Sequence, residues 1–115
     1  MAETIKRILP QWAADGTTTQ TMIFKVPNGT EVQHWIISAI VIANTDTAQH
    51  YVSLYQVGDG ETPTNLNKFF PACPVKASQV VEGGRGYIFM AGDELWAEAD
   101  GDGVNITIYY AERTA

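Results

Sequence analysis

His34 and His50 are the side chains best suited to chemistry, one near the start of an apolar run on each side of the Asn44 turn. On adjacent strands such a pair could bind a metal. A site needs a third ligand, however, and neither an H-x-H pattern nor a neighbouring carboxylate supplies one. Strand-end packing or solvent exposure is the expected role. Carboxylates gather in turns: Asp59 with Glu61, Asp93 with Glu94, Asp100 with Asp102. Hard cations favour oxygen ligands in such loops. The Asp100-Gly101-Asp102-Gly103 string departs from the helix-flanked calcium loop, because its glycine is misplaced and no closing Glu follows. Ser38, Ser53 and Ser78 lack the G-x-S-x-G context of a nucleophile. Cys73, the single cysteine, can form neither an internal disulfide nor a thiolate metal site, and reads as a small hydrophobe beside Pro74. No catalytic, metal or cofactor residue is assigned, and the chain is expected not to be an enzyme.

Composition narrows the partners. The 115 residues carry 45% apolar and 17% charged side chains, which fits one folded domain with a core of its own. Net charge is −6, with 7 Lys and Arg and no basic cluster. Nucleic acid is therefore not expected as a partner, since phosphate neutralisation needs Lys and Arg on one face. The apolar stretch after Lys6 and Arg7 stops at Pro10, and no run has the length of a membrane span, so no membrane partner is expected either.

The elements that must position these residues read as strands. Val32 to Ala43, closed by Asn44, is the longest apolar run and is filled with Ile, Val and Trp, which suit a pleated surface. Alternation puts Val32, His34, Ile36, Ser38, Ile40 and Ile42 on one face, and Gln33, Trp35, Ile37, Ala39, Val41 and Ala43 on the other. Both faces turn apolar towards the C-terminal half. This predicts a central strand whose second face is also covered, by another subunit. Further strands are expected over 21–26, 50–57, 78–81, 87–90, 94–99 and 104–112. A proline-broken pair, 69–70 with 73–75, belongs at a sheet edge. Pro27-Asn28-Gly29 and Glu82 to Gly86 are turns, and Asp100 to Gly103 is expected to be a hairpin. About seven to eight short strands separated by Gly, Asp and Pro turns indicate an all-β antiparallel sandwich, jelly-roll or Ig-like.

Residues 1–20 read as an extended N-terminal arm preceding the 21–115 sandwich. Pro10 and the Asp15-Gly16 stretch prevent a long helix there. Ile5, Ile8, Leu9 and Trp12 give the arm an apolar character suited to docking on a neighbour. Trp35, Trp96 and Tyr109 are expected to form an outward aromatic surface, of the kind found in protein interfaces and in sugar-binding platforms. These seven residues are the candidate partner-binding set.

Four turn motifs carry a resemblance: Val26-Pro27-Asn28-Gly29-Thr30, Ala43-Asn44-Thr45, Leu54-Tyr55 and Ala91-Gly92-Asp93-Glu94-Leu95. In their order and spacing, from Met22 to Tyr110, the chain resembles small virion proteins of tailed bacteriophages. The resemblance implies a non-enzymatic β-sandwich, made in the host bacterial cytoplasm and built into the virion. On that reading the chain is a capsid decoration or cement protein. Its partners would be other copies of itself and the major capsid or neighbouring virion proteins. A tail or head–tail junction component and a carbohydrate-binding sandwich are the alternatives. The family offers no catalytic residues to carry over.

Overall fold

The structure, a computed structural model, describes residues 3–13, 20–28, 32–101 and 103–114; the side chains of 3–13, 32–33, 65 and 70–73 lie outside the description. Among the described residues nine strands follow in chain order: β1 Glu3–Ala13, β2 Thr21–Lys25, β3 Val32–Asn44, β4 His50–Val57, β5 Lys68–Val75, β6 Val80–Gly83, β7 Ile88–Met90, β8 Glu94–Ala99 and β9 Val104–Thr114. One 3-10 turn, Asn65–Asn67, lies between β4 and β5.

The strands form two antiparallel sheets. One orders β1-β9-β3-β6, with β7 also pairing β3; the other orders β2-β8-β4-β5. The pairing is nested. β4 pairs β5, β3 pairs β6 and β7, β2 pairs β8, and β1 pairs β9. The chain is thus one long hairpin doubled back near Asn65–Asn67 and rolled so that successive pairs alternate between sheets. That arrangement is a jelly roll. Within the segment expected as an arm, Glu3–Ala13 runs along β9, where an open strand edge would otherwise stand. β5 is the outermost strand of its sheet, as Pro71 and Pro74 require. The Asp100 to Gly103 segment is not a hairpin. β8 and β9 belong to different sheets, so this loop crosses the end of the sandwich.

The core lies between the sheets. β9 contributes Val104, Ile106, Ile108 and Tyr110, the inward set that its alternation predicts. β4 contributes Val52 and Leu54, and β8 contributes Leu95, Ala97 and Ala99. Each Ile buried here stabilises the fold by about 1.5–3 kcal/mol relative to exposure.

β3 is central, between β9 on one side and β6 and β7 on the other, but its faces differ from simple alternation. Trp35 and Ile37 are buried, and so are Ile40 and Ile42. The cause is a bulge. Ile37 pairs with Tyr110 and Ala39 with Tyr109, which leaves Ser38 as an extra residue between neighbouring rungs. One extra residue flips the inward parity of everything after it. The apolar run therefore serves one core by switching faces, and Ile36 and Val41 remain partly exposed outside. No covering subunit is needed to explain the pattern. β4 instead is the strand buried on both sides: Ser53, Tyr55 and Val57 are buried along with Val52 and Leu54. The Lys68 ammonium lies 5.4 Å from the Tyr55 ring centre, and the Tyr55 hydroxyl donates to Glu98.

Candidate functional site

The candidate partner-binding residues do not share one surface. Trp35 is 7% exposed and belongs to the core. Its ring lies 5.0 Å from Phe24 and 4.0 Å from Tyr110, centre to centre, and its Nε1 donates to Glu112 Oε2 at 2.9 Å. The parity of β3 before the Ser38 bulge points it inward. Trp96 is half-buried on the outer face of the β2-β8-β4-β5 sheet, where its Nε1 donates to Glu94 Oε1 at 2.8 Å. Tyr109 is 36% exposed on the opposite side of the sandwich, on the outer face of the other sheet. The expected joint aromatic surface is thus absent. Ile5, Ile8, Leu9 and Trp12 lie in β1, and their side chains fall outside the described residues.

An apolar edge that the sequence did not single out is present instead. β7 points Phe89 into the core and exposes Ile88 at 49% and Met90 at 54%. Ile88 sits opposite Ile36 and Met90 opposite His34 on β3, so these four side chains form two rungs on the outer face. Tyr87, just before β7, is exposed, and its ring lies 4.8 Å from that of Phe69 of β5, tilted by 58°. Beyond the bulge, β6 exposes Val80 opposite Ala43. Between β6 and β7 the turn leaves an open concavity of about 350 Å³, lined by Ile36, Ile37, Ser38, Glu82, Arg85 and Gly86. Its floor is held by Ile37, whose N–H donates to the Tyr87 carbonyl and whose carbonyl accepts from Gly86, each at 2.8 Å. The available signal was Ser38, a polar residue amid Ile and Val where two apolar parities meet.

Asp46, Asp59, Asp93, Glu94 and Asp100 accept from protein donors. His50 is buried, with Nε2 2.7 Å from Asp46 Oδ2 and Nδ1 2.9 Å from Asp100 Oδ1. The hydrogen bond to Asp46 is the main cause that raises the His50 pKa above its ordinary value; burial opposes it and Asp100 assists. Asp46 is held below the usual carboxylate range, first by His50 and then by the Thr47 N–H. Buried Asn44 anchors the adjoining loop, donating to the Ala48 and Val75 carbonyls at 2.8 and 2.9 Å and accepting from Asp46 N at 2.9 Å. At the other end, Lys25 pairs with Asp59 and lies 3.8 Å from buried Glu94. Asp93 accepts from Met90 N at 2.8 Å.

His34 and His50 lie on strands of different sheets, at opposite ends of the sandwich: His34 pairs with Met90 and Arg113, His50 with Val75. Among the described residues, no three His, Cys, Asp or Glu side chains are grouped to hold a metal. The Cys73 side chain and Asp102 lie outside the described residues. Among the described residues no helix is long and apolar enough to cross a membrane. No protein-family model matches the chain, and no curated protein matches it.

Proposed function

We propose that this chain is a non-enzymatic structural subunit of a bacteriophage virion, a capsid decoration or cement protein that binds neighbouring virion subunits. The observation that carries this reading is the outer edge at β7. Ile88 and Met90 stand about half in water beside Ile36 and the Ser38 concavity. Apolar side chains grouped on a rigid sheet edge gain free energy when a partner covers them. A contact of standard size, roughly 800 Å² on each partner, would hold a subunit on a particle. The order of turn motifs from Val26 to Leu95 adds the resemblance to small virion proteins. A tail or head–tail location uses the same edge and differs only in its neighbour. The carbohydrate reading loses support, because Trp35 is a core residue and the Trp96 N–H is already bonded to Glu94.

The test is made on particles purified from a lysate of the bacterium that carries the gene. Protein mass spectrometry should find the chain in the particle band at a fixed ratio to the major capsid protein. Ile88→Glu with Met90→Glu should leave a folded protein, by circular dichroism, that no longer enters particles. A chain missing from the particles would refute the virion assignment. Normal incorporation of the double variant would refute the edge.

A further inference from the structure

A neutral imidazole has one N–H to donate and one lone pair to accept with, whereas an ionised carboxylate only accepts. His50 turns both ring nitrogens towards carboxylates, Nε2 to Asp46 at 2.7 Å and Nδ1 to Asp100 at 2.9 Å. Both contacts are hydrogen bonds only while the ring carries two protons. With one proton fewer, a ring lone pair faces a carboxylate lone pair, and one contact must open.

The two aspartates come from different crossing loops. Asp46 lies in the 45–49 connection between β3 and β4, and Asp100 in the 100–103 connection between β8 and β9. Each connection passes from one sheet to the other. A charged His50 therefore adds a side-chain bridge between the two crossings, beside the Gly103 carbonyl, which accepts from Thr45 N at 2.8 Å and Thr45 Oγ1 at 3.0 Å. Gly101 packs so closely on the ring that a Cβ there would overlap it, so the pocket is shaped around the imidazole. Among the described side chains, Asp46 and Asp100 are the charged groups that act on the ring; β5 presents Val75 at the paired position.

We propose that His50 is a pH-operated latch: its imidazolium bridges the Asp46 and Asp100 carboxylates, and loss of one ring proton releases the Asp46 carboxylate. Asp100 is the partner that stays. Its Oδ1 also accepts from Tyr51 N at 3.0 Å, and its own N–H donates to the Tyr51 carbonyl, so it is fastened to β4 independently of the ring. The Asp46 carboxylate has its other bonds to Thr47, inside its own loop, while the Asp46 N–H is held separately by Asn44 Oδ1 at 2.9 Å. The neutral ring thus keeps its proton on Nδ1, facing Asp100, and lets Asp46 go. The raised His50 pKa agrees in direction. The latch is closed below the His50 midpoint, while Asp46 is ionised, and opens as pH rises through that midpoint.

Nitrogen-15 NMR of the full chain tests this from about pH 5 to about pH 9. The ring should be doubly protonated at the acid end and the Nδ1–H tautomer at the alkaline end, with a midpoint above 6.5. Protection of the Thr47 amide, which donates to Asp46 Oδ1, should be lost with the same midpoint once corrected for the intrinsic base-catalysed rise. Asp46→Asn should lower the ring midpoint and abolish the pH dependence of loop exchange. A midpoint at or below 6.5, an Nε2–H tautomer in base, or loop protection that ignores the ring titration would each overturn the latch. The titration of the unmodified chain decides the matter even if the variant does not fold.

Discussion

At each end of the sandwich a cationic side chain stands between two carboxylates drawn from different elements, yet the two ends are built differently. At one end His50 lies between Asp46 and Asp100, and it is buried. At the other, Lys25 lies beside Asp59 and Glu94, and both Lys25 and Asp59 are more than a third exposed at their side chains. The adjoining anchors differ as well. Neutral, buried Asn44 holds the first end through three hydrogen bonds to backbone groups. Buried Glu94 holds the second, accepting from Trp96 Nε1 at 2.8 Å and Gly60 N at 3.1 Å. A buried imidazole held between carboxylates makes an end responsive to pH. A solvated ammonium makes one that is indifferent to it.

The largest expected effect separates the anchors. Asn44→Ala leaves the Val75 carbonyl without this donor in a buried position and removes the acceptor of Asp46 N. Each buried polar group left unsatisfied costs about 1–3 kcal/mol, so the total loss should be about 2–5 kcal/mol. Glu94→Ala orphans two donors that are only part-buried and can turn to water, at a cost of about 1–3 kcal/mol. Urea unfolding of both variants ranks them. If Glu94→Ala proves the costlier, the Lys25 end is the better fastened and the comparison is reversed.

Gly101 and Gly60 sharpen the contrast at intermediate size. Gly101 sits where a methyl group would drive the His50 ring out of place, so Gly101→Ala should cost about 1–3 kcal/mol by overpacking. Gly60, at φ +73°, has open space around its Cβ position and needs only the left-handed backbone. Gly60→Ala should cost about 1–2 kcal/mol, the steric cost of that conformation. Thermal unfolding measures both. The imidazole resonances of His50 should move in the first variant and stay in the second, whatever the stability change.

Strand positions were legible because turn chemistry marks them. Pro27-Asn28, Asn44-Thr45, Gly58 to Pro63 and Ala91-Gly92-Asp93 all separate strands, and β9 faces as its alternation says. Two things were hidden. Sequence alternation assumes an unbroken register, and the Ser38 bulge breaks it, so alternation turns Trp35 outward whereas it packs on Phe24 and Tyr110. The His50 bracket joins residues 50 and 100, which only the nested pairing of strands brings together. No local spacing rule reports a contact created by topology. The exposed pair Ile88 and Met90 was hidden for a related reason. A three-residue strand shows alternation too briefly to reveal which side is left uncovered.

The smallest expected effect is the most direct test of the comparison. The Lys25 pKa is raised above its ordinary value of 10.5, first by its hydrogen bond to Asp59, so its contribution is complete below 10.5 and lost only in stronger alkali. The His50 contribution is complete below 6.5 and lost as pH rises through a midpoint above that value. The Asp46 contribution runs the other way, complete above 3.8 and lost as pH falls through its lowered pKa. Stability should therefore be greatest between 3.8 and 6.5 as far as this end is concerned, with an alkaline decline that belongs to His50 alone. His50→Gln should flatten that decline. Lys25→Met should lower the whole curve barely at all, since an exposed pair is screened by water and salt, and should leave the decline where it was. Urea unfolding at a series of pH values compares the three proteins. Were Lys25→Met to erase the decline, or His50→Gln to preserve it, the pH response would have to be reassigned to the Lys25 end, and the structural difference between the ends would lose its meaning.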